Sequence, residues 1–100
     1  RNLKQYEKAK ADFEMIMKNE PDNHLPYIYR AWNYFDQGNF EAALIDAGKA
    51  VEMKSTDGLG YIILGEAKRE FGQEGYCFDY QMAKTLEIPD AVELIKKHCN

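Results

Sequence analysis

Residues 24–57, HLPYIYRAWNYFDQGNFEAALIDAGKAVEMKSTD, decide the fold. The first half, from His24 to Gln37, carries Leu25, Tyr27, Ile28, Tyr29, Ala31, Trp32, Tyr34 and Phe35. It is apolar almost all round, as in a helix covered on more than one side. Gly38 and Asn39 turn the chain. The second half, from Phe40 to about Lys54, places Ala43, Leu44, Ala47, Ala50 and Val51 at helical spacing on an inward face. This pair of helices recurs. A constant 34 residues separates Tyr6 from Phe40, Ala9 from Ala43, Ile16 from Ala50, Tyr27 from Tyr61, Ala31 from Gly65 and Gly38 from Gly72. A fixed period of that length marks stacked supersecondary units rather than one wound core.

Outward from this stretch the same pattern continues. Residues 5–19 carry a stripe of Tyr6, Ala9, Phe13, Ile16 and Met17, with Glu7, Lys8, Lys10, Glu14 and Lys18 on the other face. Asn19 to Asn23 breaks this helix. Asp22 or Asn23 supplies a cap for the next, and Pro26 fits its first turn, where the missing N–H would have had no partner. Ser55-Thr56-Asp57 caps a fourth helix from Gly58 to Phe71, and Gly72 turns the chain again. A fifth helix is expected from about Glu74 to Leu86. Ile88-Pro89-Asp90 then opens a short last helix with Ala91, Val92, Leu94 and Ile95 on one face. Lys96, Lys97 and His98 stand at its C-terminal end, where positive charge suits the helix dipole. No strand-like alternation competes. The expectation is an all-α fold in a single domain, residues 1–100.

Composition narrows the partners. The 100 residues are 45% hydrophobic and 30% charged, with a net charge of −4. Nucleic acid and anionic membrane surfaces call for clustered Lys and Arg, so both are disfavoured. No run of about 18 apolar residues could span a bilayer. The sequence opens at Arg1 in the middle of a periodic pattern and is expected to be a piece of a longer protein.

Helix-turn-helix units of this length, with aromatic, small and Gly residues at these offsets, resemble the tetratricopeptide repeat (TPR) family. In unit 24–57, Tyr27 and Tyr34 match the family's aromatic sites and Ala31 its small site. Gly38 matches its turn, Phe40 the opening of the second helix, and Ala43 and Ala50 its two Ala sites. A partial unit, 1–23, matches through Tyr6, Ala9, Phe13 and Pro21. A third, 58–88, matches through Tyr61, Leu64, Gly65 and Gly72. Residues 89–100 resemble the capping helix that closes such arrays. Arg30, Ala47 and Ser55 depart from the pattern, standing at Leu, large-aromatic and Pro sites. The third unit fits best with a turn one residue short, which puts Tyr80 and Ala83 on the aromatic and Ala sites and Tyr76 on a small one.

The resemblance implies a right-handed α-α superhelix whose first helices line a concave groove for a protein or peptide segment. It implies a scaffold rather than an enzyme. The groove positions it assigns are Leu25, Ile28, Trp32, Phe35 and Asp36 in one unit, and Leu59, Ile62, Glu66, Arg69 and Glu70 in the next. The competing reading has Trp32 and Phe35 simply packing against a first helix expected to lie outside the given sequence, or against their own neighbours. Family members that grip a partner's C-terminal carboxylate use Lys, Arg and Asn. The corresponding positions here hold Ile28, Tyr29, Trp32, Ile62, Ile63 and Glu66, so chaperone-tail binding of that type is not expected. The alternative function is self-association, giving a homo-oligomer through open solenoid ends, or docking within a larger protein.

Chemistry-bearing residues are few. Cys77 precedes Ile88 by 11 residues and Cys99 follows it by 11. Across an antiparallel helix pair, such residues stand side by side. A disulfide would then staple the last helix, contribute about 3 kcal/mol, and imply an oxidising compartment such as a periplasm or the extracellular space. Two buried free thiols in a cytoplasmic protein are the other reading. Cys77, His98 and Cys99 lack a fourth ligand for a metal, and no cofactor is expected. His24, at a helix start, is expected to face solvent. The carboxylates of Asp36, Asp46, Asp57, Glu66 and Glu70 are expected on solvated surfaces. Gly58-x-Gly60 has no preceding strand and is not a nucleotide fingerprint.

Overall fold

A computed structural model describes residues 2–99. Six helices follow one another: α1 (Leu3–Asn19), α2 (Leu25–Asp36), α3 (Phe40–Met53), α4 (Gly58–Phe71), α5 (Tyr76–Thr85) and α6 (Asp90–His98). No strand occurs among the described residues. Each helix packs on the one before it, and α2 also touches α4. That skip contact is the mark of layers stacked side by side. The body measures 39 × 28 × 20 Å.

Local chemistry fixes the ends of the helices. The Asn2 side chain accepts a hydrogen bond from Gln5 N–H at 3.0 Å, so α1 starts at Leu3, three residues before the first residue of its apolar stripe, Tyr6. Asn23 Oδ1 accepts from Leu25 N–H at 3.0 Å, and Pro26 occupies the first turn of α2. Asn39 and Asp57 cap α3 and α4 in the same manner. The fifth helix is shorter than its apolar pattern suggests. Gly75 adopts φ +98°, in the left-handed region that favours glycine, and holds the start of α5 back to Tyr76.

Two apolar clusters form the core. Ile28, Ala31, Ala47, Ala50 and Ile63 make one, and Tyr61, Ile62, Ala83 and Ala91 the other. Trp32 packs against both. The buried alanines, Ala31, Ala43, Ala47 and Ala50 among them, let neighbouring helices approach closely.

Polar groups lie deeper than the sequence suggests. Arg30 takes an apolar site because Asp46 meets it there. Its Nε donates to Asp46 Oδ2 at 2.6 Å and its Nη2 to Oδ1 at 2.8 Å, while Nη1 reaches Glu14 at 3.3 Å. The guanidinium also stands 5.9 Å from the ring centres of Tyr27 and Tyr34. Asp46 is therefore buried, at 4% exposure, and not on a solvated surface. His24 likewise does not face solvent: its ring Nε2 lies 2.7 Å from Asp57 Oδ2, which also draws Asp57 out of the solvated class. Asp79 is buried against Lys68 Nζ at 2.9 Å. Burial pushes its carboxyl above the ordinary range, and Lys68 opposes that rise.

Cys77 and Cys99 are joined by a disulfide with a Cα–Cα distance of 5.7 Å. This removes the free-thiol reading and ties the end of α6 to the first turn of α5. The last helix presents Ala91 to the core, but Val92 is exposed rather than inward.

Candidate functional site

The site is a groove of about 500 Å³ between α2, α4 and α6. Its apolar floor is formed by Trp32 from α2, Leu59 and Ile62 from α4, and Leu94 from α6. Glu66 from α4 and Asp90, Glu93 and Lys97 from α6 supply the charge. Leu59 is 48% exposed, so an apolar side chain faces open space in the groove. The Trp32 indole is braced edge-on by Phe35, with ring centres 5.6 Å apart, and Phe35 is braced in turn by Phe40 at 5.1 Å.

One side of the groove is stiffened by a charged network. The Tyr80 hydroxyl donates to Glu66 Oε1 at 2.5 Å. Arg69 Nε donates to the Tyr80 oxygen at 3.1 Å, its Nη2 to Glu66 at 3.1 Å and its Nη1 to Glu70 at 2.9 Å. Burial and the adjacent Glu66 carboxylate push the Tyr80 hydroxyl well above its ordinary pKa, so it remains a donor. Every Arg69 nitrogen is thus occupied by its own chain. A group held this way sets the position of Glu66 but offers little to a ligand.

The structure brings Trp32, Leu59, Ile62 and Glu66 together. It places the other groove expectations elsewhere. Ile28 lies in the core at 2% exposure. Leu25 and Phe35 are partly buried against that core. Asp36 is at the α1 side, in a second hollow with Leu3, Tyr6 and Gln37, where its backbone oxygen accepts from Tyr6 Oη at 3.2 Å. Arg69 and Glu70 form the network behind the rim. Four lining residues, Asp90, Glu93, Leu94 and Lys97, were not among the sequence-derived groove positions. Their spacing of three, one and three residues is a helical face, and this was the available signal. Among the described residues no cluster of His, Cys, Asp and Glu could hold a metal ion, and no helix is long and apolar enough to cross a membrane.

No protein-family model and no curated protein matches the sequence. Among solved structures, the chain is similar to the first TPR of Spaghetti (RPAP3) bound to HSP90 peptide SRMEEVD. The two share 25% identity and a TM-score of 0.86, over 93% of this chain and 76% of the other. The architecture is therefore a TPR-type fold, an all-α solenoid of helix pairs.

Proposed function

We propose that this TPR-type chain is a non-catalytic interaction module that holds a peptide or protein segment in the groove between α2, α4 and α6. On this reading it is one domain, built from a partial unit, two whole units and a closing helix, and it works without a cofactor. The observation that carries the proposal is the exposed apolar floor. Leu59 is half exposed and lines the hollow with the partly buried Trp32 between charged walls. A concave, largely apolar surface with a few polar groups at its edge is the usual form of a binding site. The similar TPR in complex with a peptide supports the same class of ligand.

The test is selection from a random-peptide display library on the 100-residue chain, repeated on a Leu59→Asp variant. Leu59 is half exposed, so the substitution leaves the core intact. The expected result is a set of peptides that bind the chain and lose binding on the variant, with unchanged helical circular dichroism. Peptides that bind both proteins alike would remove the groove from consideration.

A second reading, self-association, draws on α1, which has no buried residue and exposes Leu3 and Met15. Sedimentation over a range of concentrations separates the two. A monomer at the highest concentration would leave the groove as the working surface.

A further inference from the structure

We infer that the groove selects a cationic segment carrying an aliphatic side chain. This rests on the peptide-binding reading above and specifies the ligand class. The aliphatic requirement comes from the floor, where Leu59 and Leu94 frame a space too small for a folded domain and within the range of small-ligand pockets. The charge requirement comes from the walls. Asp90 and Glu93 rise from α6 and Glu66 from α4, against Lys97 as the one basic lining side chain among the described residues.

The acids are available to a ligand to different degrees. Glu66 is engaged by Tyr80 and Arg69. Glu93 is 83% exposed, and its contact to Lys96 is a loose 3.9 Å on the surface, worth little in water. Among the described residues, no ion pair or side-chain hydrogen bond engages Asp90, which is exposed. Asp90 and Glu93 stand in the first turn of α6, where negative charge complements the helix dipole. That role would be met by acids on any face of the turn. These two face the groove. A positively charged segment would therefore meet two accessible carboxylates beside an apolar seat, and an acidic one would meet repulsion. The resulting preference is opposite in sign to the acidic peptide SRMEEVD carried by the similar TPR.

The experiment uses the peptides recovered from the display library that depend on Leu59. They are sequenced, and one is synthesised with a counterpart in which every Lys or Arg is replaced by Glu. Binding is read by the fluorescence of Trp32, the chain's only tryptophan and part of the groove floor. The expected result is an excess of Lys and Arg over Asp and Glu among the recovered peptides. The cationic peptide should bind about tenfold more tightly than its counterpart at low ionic strength. That ratio should shrink in about 0.5 M salt, where charges are screened within a few ångströms. Asp90→Asn with Glu93→Gln, neutral replacements at exposed positions, should bring the two peptides close to parity. Leu59-dependent peptides that are neutral or acidic, or a ratio unmoved by the double substitution, would overturn the charge inference while leaving groove binding intact. Recovery of no Leu59-dependent peptide would overturn both.

Discussion

The Tyr80 ring packs so closely against Gly65 that a Cβ at that position would stand 2.7 Å from its Cε1. Tyr80 is fully buried, so the ring has nowhere to retreat. The absent side chain on α4 thus lets α5 approach and aims the Tyr80 hydroxyl at Glu66.

Gly65→Ala should accordingly destabilise the domain. Alanine is the better helix former by about 1 kcal/mol, but overpacking against a fixed ring costs roughly 1–3 kcal/mol. The expected net effect is a lower midpoint in urea unfolding. A higher midpoint would mean that the α4–α5 interface can yield to the added methyl group.

Arg30→Leu should also destabilise, although it restores an apolar residue. It strands Asp46 without its bidentate partner. Breaking a fully buried pair costs about 3–5 kcal/mol. Arg30 keeps a fifth of its side chain exposed, so a loss of about 2–3 kcal/mol is expected. Adding Asp46→Ala should recover most of it. No recovery in the double mutant would show that Arg30 acts through packing on Tyr27 and Tyr34 instead.

Asp79 should titrate above the ordinary carboxylate value of 3.8, mainly because burial disfavours its charge. The native state then holds this proton more firmly than the unfolded chain does. The contribution of Asp79 to stability therefore falls as pH rises from 3.8 through the raised pKa, and its ionised form is a net cost above that window. Carbon-13 NMR of the carboxyl across pH measures the shift. Lys68→Met, which removes the opposing charge at 2.9 Å, should move it further upward. A downward move would contradict the opposing role assigned to Lys68.

Reduction of Cys77–Cys99, or Cys77→Ser with Cys99→Ser, should lower stability by about 3 kcal/mol through the freed loop. Because α6 supplies Asp90, Glu93 and Leu94 to the groove, peptide affinity should fall as well. Unfolding and fluorescence titrations with and without dithiothreitol check both. Full affinity in the reduced protein would show that packing alone holds α6 in place.

The helices and their stacking were legible because a 34-residue recurrence samples the same faces repeatedly. Tyr80 and Ala83 were even recovered across a shortened turn, and both are fully buried. Depth was less legible. Ile28 has the spacing of a groove residue but sits in the core cluster, because α2 is enclosed by α1, α3 and α4. The Arg30–Asp46 and His24–Asp57 pairs join residues 16 and 33 positions apart. No local pattern announces such pairs, so the charges read as surface groups. The groove wall on α6 was missed for a related reason. That helix lies beyond the recurrence, and its second face acquires meaning only once Trp32 and Leu59 are seen opposite it.

Trp32 packs against both apolar clusters and lines the groove floor at once. A guest seated on that indole would brace two layers of the stack simultaneously. Occupancy should then be felt as slower proteolytic nicking at remote bends, such as the one from Gly72 to Gly75, and the domain would report its own cargo through its rigidity.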